Sequence, residues 1–158
     1  MTITYTINHE GSPYFCGYGA YLALFHKADQ CHQQACIAWQ EIETQQRIIV
    51  TINHVLDELA TLLGRRTEYT FAGRKTAQIY VSELVVIERS NEWDEYEALA
   101  IFQKYADQKV SFTDCLSFVT MQRLSIRQVF TFDYHFSLLG FDIFRLIPSW
   151  PKIPPMLK

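Results

Sequence analysis

Lys109–Gly140 reads KVSFTDCLSFVTMQRLSIRQVFTFDYHFSLLG, and its pattern is a helix, a buried strand and an acid where the strand ends. Ser111 and Asp114 form an S-x-x-D helix start. Leu116, Val119, Met121 and Leu124 give the helix that follows an apolar face. Val129–Phe132 is β-branched and aromatic, as suits a central parallel strand, and Asp133 comes directly after it. In open α/β sheets, ligands bind beyond the carboxyl ends of the strands. An acid that opens one helix and an acid at the tip of the next strand can therefore meet in one crevice. Two carboxylates there suit a hard divalent ion. Each acid alone reads equally as a cap: Asp114 as the end of a capping box, Asp133 as the cap of a short helix Tyr134–Leu139. Their shared edge is what favours a site.

Composition narrows the class. A chain of 158 residues is long enough for one domain with a sizeable core and too short for two of ordinary size. With 49% hydrophobic and 15% aromatic residues, disorder is excluded as the main state. A net charge of −3 leaves no global basic footprint for nucleic acid, so any RNA contact must use a local patch or bound metal. No apolar run approaches a membrane span. Met1–Ser12 lacks a basic start and an apolar core, so a cytoplasmic protein without a membrane partner is expected. Cys16, Cys31, Cys36 and Cys115 form no C-x-x-C pair. Cys31, His32 and Cys36 fit no standard zinc spacing and read as buried thiols on a helix.

Outward from the opening stretch, strands and helices alternate. Thr2–Ile7 alternates like a strand, Asn8–Pro13 is turn-like, and Tyr14–Cys16 is a second short strand before Gly17-Tyr18-Gly19. A helix starts at Ala20. Another runs Cys31–Glu43, with Asp29 as its cap. Arg47–Val50 is a buried strand, and Thr51 opens a helix that ends at Gly64. In that helix Ile52, Val55, Leu56, Leu59, Leu62 and Leu63 share a face. At about 100° per residue, Asp57 falls opposite that face and Glu58 at its margin. A margin position can face a cleft, so Glu58 is the candidate, with a solvated flank as its plain alternative. Arg65, Arg66, Arg74 and Lys75 are the densest basic group and are either solvated surface or phosphate contacts. Val85–Glu88 is a strand, Trp93–Tyr105 a helix, and Phe141–Ile147 a closing strand. Pro148, Pro151, Pro154 and Pro155 mark a tail that continues neither strand nor helix. The alternation predicts a three-layer α/β/α domain with a central parallel sheet. It spans residues 1–147, of which 1–13 are an atypical N-terminal extension, and 148–158 form the Pro-rich tail.

SFTDC (Ser111–Cys115), then TFDYHF (Thr131–Phe136) and GF (Gly140–Phe141), resembles the PIN-domain family, and within it the VapC-type ribonuclease toxins of toxin–antitoxin pairs. TINHVLDEL (Thr51–Leu59) and GAYLALFHKADQCHQQA (Gly19–Ala35) match further family segments in order, so the resemblance spans Tyr14 to Leu146. It implies a metal-dependent nuclease for single-stranded RNA, using Mg2+ or Mn2+. Glu58, Asp114 and Asp133 would be its catalytic and metal-binding acids, with Ser111 and Thr113 steadying Asp114. It further implies a cognate antitoxin and a homodimer. One position departs: the family opens with D-T-G-A or D-T-S-A at the tip of its first strand, and here Gly17-Tyr18-Gly19-Ala20 stands there. Gly17 offers no side-chain oxygen, which implies a weakened nuclease or a PIN-like module that binds RNA or protein without cleaving. If Thr2–Ile7 is instead the first strand, Glu10 becomes the candidate fourth acid.

Overall fold

The computed structural model describes residues 11–144. The expected strand Thr2–Ile7, Glu10, the end of the closing strand and the Pro-rich tail lie outside the described residues. Five strands form one all-parallel sheet: β1 (Tyr14–Cys16), β2 (Ile49–Ile52), β3 (Val85–Glu88), β4 (Gln128–Phe130) and β5 (Asp142–Ile143), in the order β3-β2-β1-β4-β5. Seven α-helices connect them: α1 (Tyr18–Phe25), α2 (His32–Thr44), α3 (Asn53–Arg66), α4 (Tyr69–Tyr80), α5 (Glu92–Lys104), α6 (Phe112–Arg123) and α7 (His135–Leu138). Right-handed crossovers put α1–α4 on one face and α5–α7 on the other. Accordingly α1 packs on α2 and α3, α3 on α4, and α5 on α6. This is the three-layer arrangement the alternation predicts.

The central strands are short and, apart from Thr51, apolar. β1 (YFC) and β2 (IVTI) are buried at every residue, as strands covered on both faces must be. Aromatic side chains fill both layers. Tyr21, Trp39 and Phe130 touch in series on one side, and Phe118, Phe136 and Phe141 on the other. On that second side an ion pair with one buried member ties two helices. The Asp94 side chain of α5, wholly buried, accepts two bonds from Arg123 of α6 at 3.1 and 3.2 Å. Arg123 also approaches Glu88 at the end of β3.

Several boundaries differ from the sequence reading. Arg47 precedes β2, and Thr51 belongs to it rather than opening a helix. Its Oγ1 donates to the Cys16 carbonyl at 2.9 Å, a bond across to β1 that holds it in the sheet. Gly64 does not end α3, which continues to Arg66. It is a packing glycine, since a Cβ there would come within 2.9 Å of the Tyr69 ring. Asp29 accepts from the Cys31 N–H in the turn before α2, and Cys31 occupies the cap position. Cys36 is exposed and Cys31 only part-buried, so neither is the buried thiol expected. His32 instead ties α2 to α1 through the Ala23 carbonyl, 2.7 Å from Nδ1.

Candidate active site

The chain leaves β1 toward β2 on one side and returns through β4 on the other, so strand order reverses between β1 and β4. A crevice opens at the carboxyl ends of strands at such a reversal. Gly17 stands at the tip of β1 and Asp133 just beyond β4. Glu58 comes from α3 and Asp114 from the first turn of α6. The acids that sequence singled out thus arrive from three separate segments.

Local chemistry aims Asp114 into the crevice. The S-x-x-D start predicts a reciprocal capping box, and α5 has one: Asn91 and Asp94 each accept from the other's backbone N–H. In α6 only half is built. Ser111 Oγ accepts from the Asp114 N–H at 3.1 Å, while the Asp114 carboxyl turns toward Asp133 and Glu58. Burial, then the Asp133 charge, and more weakly Glu58, push Asp114 up to about 7, against the Ser111 hydroxyl that favours its ionised form. Only 4% of Asp114 is exposed. A carboxyl so placed carries charge it cannot shed to water.

Asp133 is held by its neighbours. Its N–H donates to Thr131 Oγ1 at 3.1 Å, and its Oδ1 accepts from the His135 N–H at 2.9 Å. Asp133 thus accepts in the turn before α7, whose cap position Tyr134 occupies, rather than capping a helix Tyr134–Leu139. Thr113 stands beside Glu58 on the wall of a cleft of about 380 Å³, lined also by His54, Asp57, Thr61, Leu62 and Arg65. Asp57 is exposed and shares that outer wall, although Asp114 responds to Glu58 and not to it.

The basic group divides. Arg65 lines the cleft. Arg66 lies 4.0 Å from Asp29. Lys75 sits over the Phe25 and Phe71 rings, with Nζ 5.6 and 5.7 Å from their centroids. Arg74 is exposed on α4.

Two residues that sequence reasoning passed over stand among these acids. Tyr18, first in α1, places its phenol among Asp114, Glu58 and Asp133 and within reach of Ser111; burial and those charges push it well above the usual tyrosine range. An aromatic just after a strand reads as core, so only its adjacency to Gly17 could have flagged it. His135 is the second, and its ring lies against Asp133.

Hard carboxylate oxygens suit a divalent ion, and a buried Asp114 beside Asp133 is a donor pair short of positive charge. Among the described residues, however, no three His, Cys, Asp or Glu side chains form a complete ligand group. The tip of β1 is where a further donor would fit. Gly17 has φ −87 and ψ 168, extended backbone open to any residue. A Cβ there would meet only Phe136 Cζ, at 3.8 Å. Also among the described residues, no helix is long and apolar enough to cross a membrane.

Comparison with known proteins gives a consistent neighbourhood. The PIN domain family matches residues 20–142. The "23S rRNA-specific endonuclease VapC20" of Mycobacterium tuberculosis is 32% identical over 119 residues in each of two strains, covering 75% of this chain and 88% of that protein. The crystal structure of Mycobacterium tuberculosis VapC20, described as a sarcin-ricin loop cleaving toxin, superposes with a TM-score of 0.73 at 30% identity. That match covers 81% of this chain and 95% of the other.

Proposed function

This chain belongs to the PIN domain family, and on that premise we propose that it is an endoribonuclease of the VapC toxin type, dependent on Mg2+ or Mn2+ and weakened by Gly17. The observation that supports the reading is a buried Asp114 under the charge of Asp133, and more weakly of Glu58, at the reversal of strand order. Glu58, Asp114 and Asp133 would hold the ion, Asp114 and Asp133 directly at the crevice floor and Glu58 from its α3 wall. When bound, a divalent ion would offset charge on the scissile phosphate and lower the pKa of the attacking water. Ser111 fixes the Asp114 backbone, and its hydroxyl favours the ionised carboxyl. Thr113, beside Glu58, is placed to steady that wall of the cleft.

Single-stranded RNA would lie along the α3 cleft. Residues 54, 58, 61 and 65 recur at three- and four-residue spacing and so share one helix face. A rise of 1.5 Å per residue puts Arg65 about 10 Å along the axis from Glu58, roughly one to two nucleotides away. Of the four basic candidates, Arg65 is therefore the phosphate anchor. Arg66 and Lys75 are engaged elsewhere, and Arg74 lies on the next helix. An antitoxin and a second copy of the chain are the expected protein partners. Trp93, Tyr96, Leu99 and Phe102 on α5 expose large apolar side chains that could meet either.

Gly17 specifically favours a second reading, a module that binds RNA without cutting it. A cleavage assay separates the two, using single-stranded RNA and 23S rRNA, with Mn2+ or Mg2+, with chelator, and with Asp114→Asn. Slow, chelator-sensitive cleavage that Asp114→Asn abolishes supports the nuclease. RNA binding that neither chelator nor Asp114→Asn alters, without cleavage, supports the module.

A further inference from the structure

His135 is almost wholly buried, at 6% exposure, and both polar edges of its ring face the site's framework. Nε2 lies 3.0 Å from the Gln108 carbonyl. A carbonyl oxygen only accepts, so Nε2 carries a hydrogen. Nδ1 lies 2.7 Å from Asp133 Oδ1, out of line for a full hydrogen bond, and it makes no other. The His135 backbone N–H donates to the same Oδ1. Two nitrogens of one residue thus converge on one carboxylate oxygen.

The other end of this clasp is the segment that delivers Asp114. Gln108 ends the 3-10 turn Ala106–Gln108, and Ser111, three residues on, caps α6. Between them Lys109 takes a left-handed backbone with φ 54. A non-glycine residue there is held by its surroundings rather than by preference. The Gln108 carbonyl, tied to His135, is one such hold.

We propose that His135 is a positioning residue that sets Asp133 against Asp114: its backbone N–H holds Asp133 Oδ1, the Nδ1 edge of its ring lies against that same oxygen, and its Nε2–H donates to the Gln108 carbonyl. This rests on the ribonuclease reading and extends it to a residue that touches neither metal nor RNA. Partners that orient ligating groups commonly matter to metal affinity by about 10–100-fold, because small hard cations tolerate poor geometry badly. A buried, satisfied core histidine is the plain alternative, and it predicts a loss of stability alone.

His135→Phe keeps a ring against Tyr134, whose centroid is 4.2 Å away, and loses both polar edges. His135→Gln carries an amide to the Gln108 side, and His135→Asn carries one to the Asp133 side. Mn2+ affinity is read by electron paramagnetic resonance on the full-length protein, in the parent and in a Gly17→Asp background, with thermal midpoints alongside. His135→Phe is expected to weaken Mn2+ binding about tenfold or more and to lower kcat for RNA while KM holds. Each amide variant should recover part of the loss. A His135→Phe protein that binds Mn2+ like its parent overturns the proposal. So does a loss that follows the thermal midpoint and that neither amide repairs. Asp114→Asn distinguishes the deeper failure. Mn2+ binding that needs Asp114 and not His135 overturns the positioning role alone; binding indifferent to Asp114, or absent from both backgrounds, overturns the site reading as well.

Discussion

Asp114→Asn should make the metal-free protein more stable at alkaline pH while removing its cleavage. The carboxyl is pushed from an unfolded value of 3.8 up to about 7, chiefly by burial and then by Asp133. An acid raised on folding contributes stability that is fully present below its unfolded pKa and lost as pH climbs through the folded value. Each pH unit in that window is worth about 1.4 kcal/mol. From pH 5 to pH 8 the full effect is about 3 kcal/mol, and water entry and local relaxation reduce it to roughly 1–3 kcal/mol. Asparagine keeps the shape and the acceptor for Ser111 but has no charge to desolvate. Urea unfolding of parent and variant in chelator, at half-unit pH steps from 5 to 8, reads the difference directly. The variant's advantage should widen as pH rises. Added Mg2+ or Mn2+ should narrow it, because a cation compensates the parent's carboxylate and gains less from the amide. Parallel curves, or a variant no more stable than the parent at pH 8, would refute the claim that Asp114 is charged against its surroundings.

Gly17→Asp should strengthen Mn2+ or Mg2+ binding and raise RNA cleavage well above the parent, and Asp114→Asn on top of it should abolish the gain; calorimetry and a gel assay give both readings, and no gain from Gly17→Asp would move the missing donor elsewhere. Arg123→Ala should cost about 3–5 kcal/mol in urea unfolding, because it leaves the buried Asp94 carboxylate without its partner; a loss under about 1 kcal/mol would mean water reaches Asp94. Arg65→Ala should raise KM for RNA about tenfold, lower the salt dependence of binding, and leave kcat nearly unchanged. Arg66→Ala is its control, and equal effects from the two would remove Arg65 from the RNA path.

The sheet was legible because several of its strands are short runs of apolar, β-branched residues with nothing else to become. Ile48–Val50 and Val85–Glu88 announce themselves in this way. What failed to read were features decided across the chain. Thr51 stays in β2 because of a bond to the Cys16 carbonyl, and Gly64 stays inside α3 because Tyr69 folds back onto it. Of the candidate site, Asp114 and Asp133 were legible from their places at a helix start and a strand end, and Glu58 from the margin of a helix face. Their surroundings were not. Tyr18 looks like core by residue type, and His135 looks like one more ring among aromatics. Its role depends on Gln108, which lies 27 residues earlier. Likewise S-x-x-D cannot say whether its acid will close the box, as Asp94 does in the equivalent position after Asn91, or leave it open, as Asp114 does.

The empty space beside Gly17 has a genetic consequence. No bulkier side chain has grown into the gap, the backbone angles are those of any extended residue, and the nearest atom lies at ordinary contact distance. Nothing else in the fold has to change for an aspartate to stand there. A glycine codon with a pyrimidine in its third place becomes an aspartate codon by a single base change. With such a codon, a single nucleotide would separate Gly17 from an aspartate on a scaffold that already accepts it.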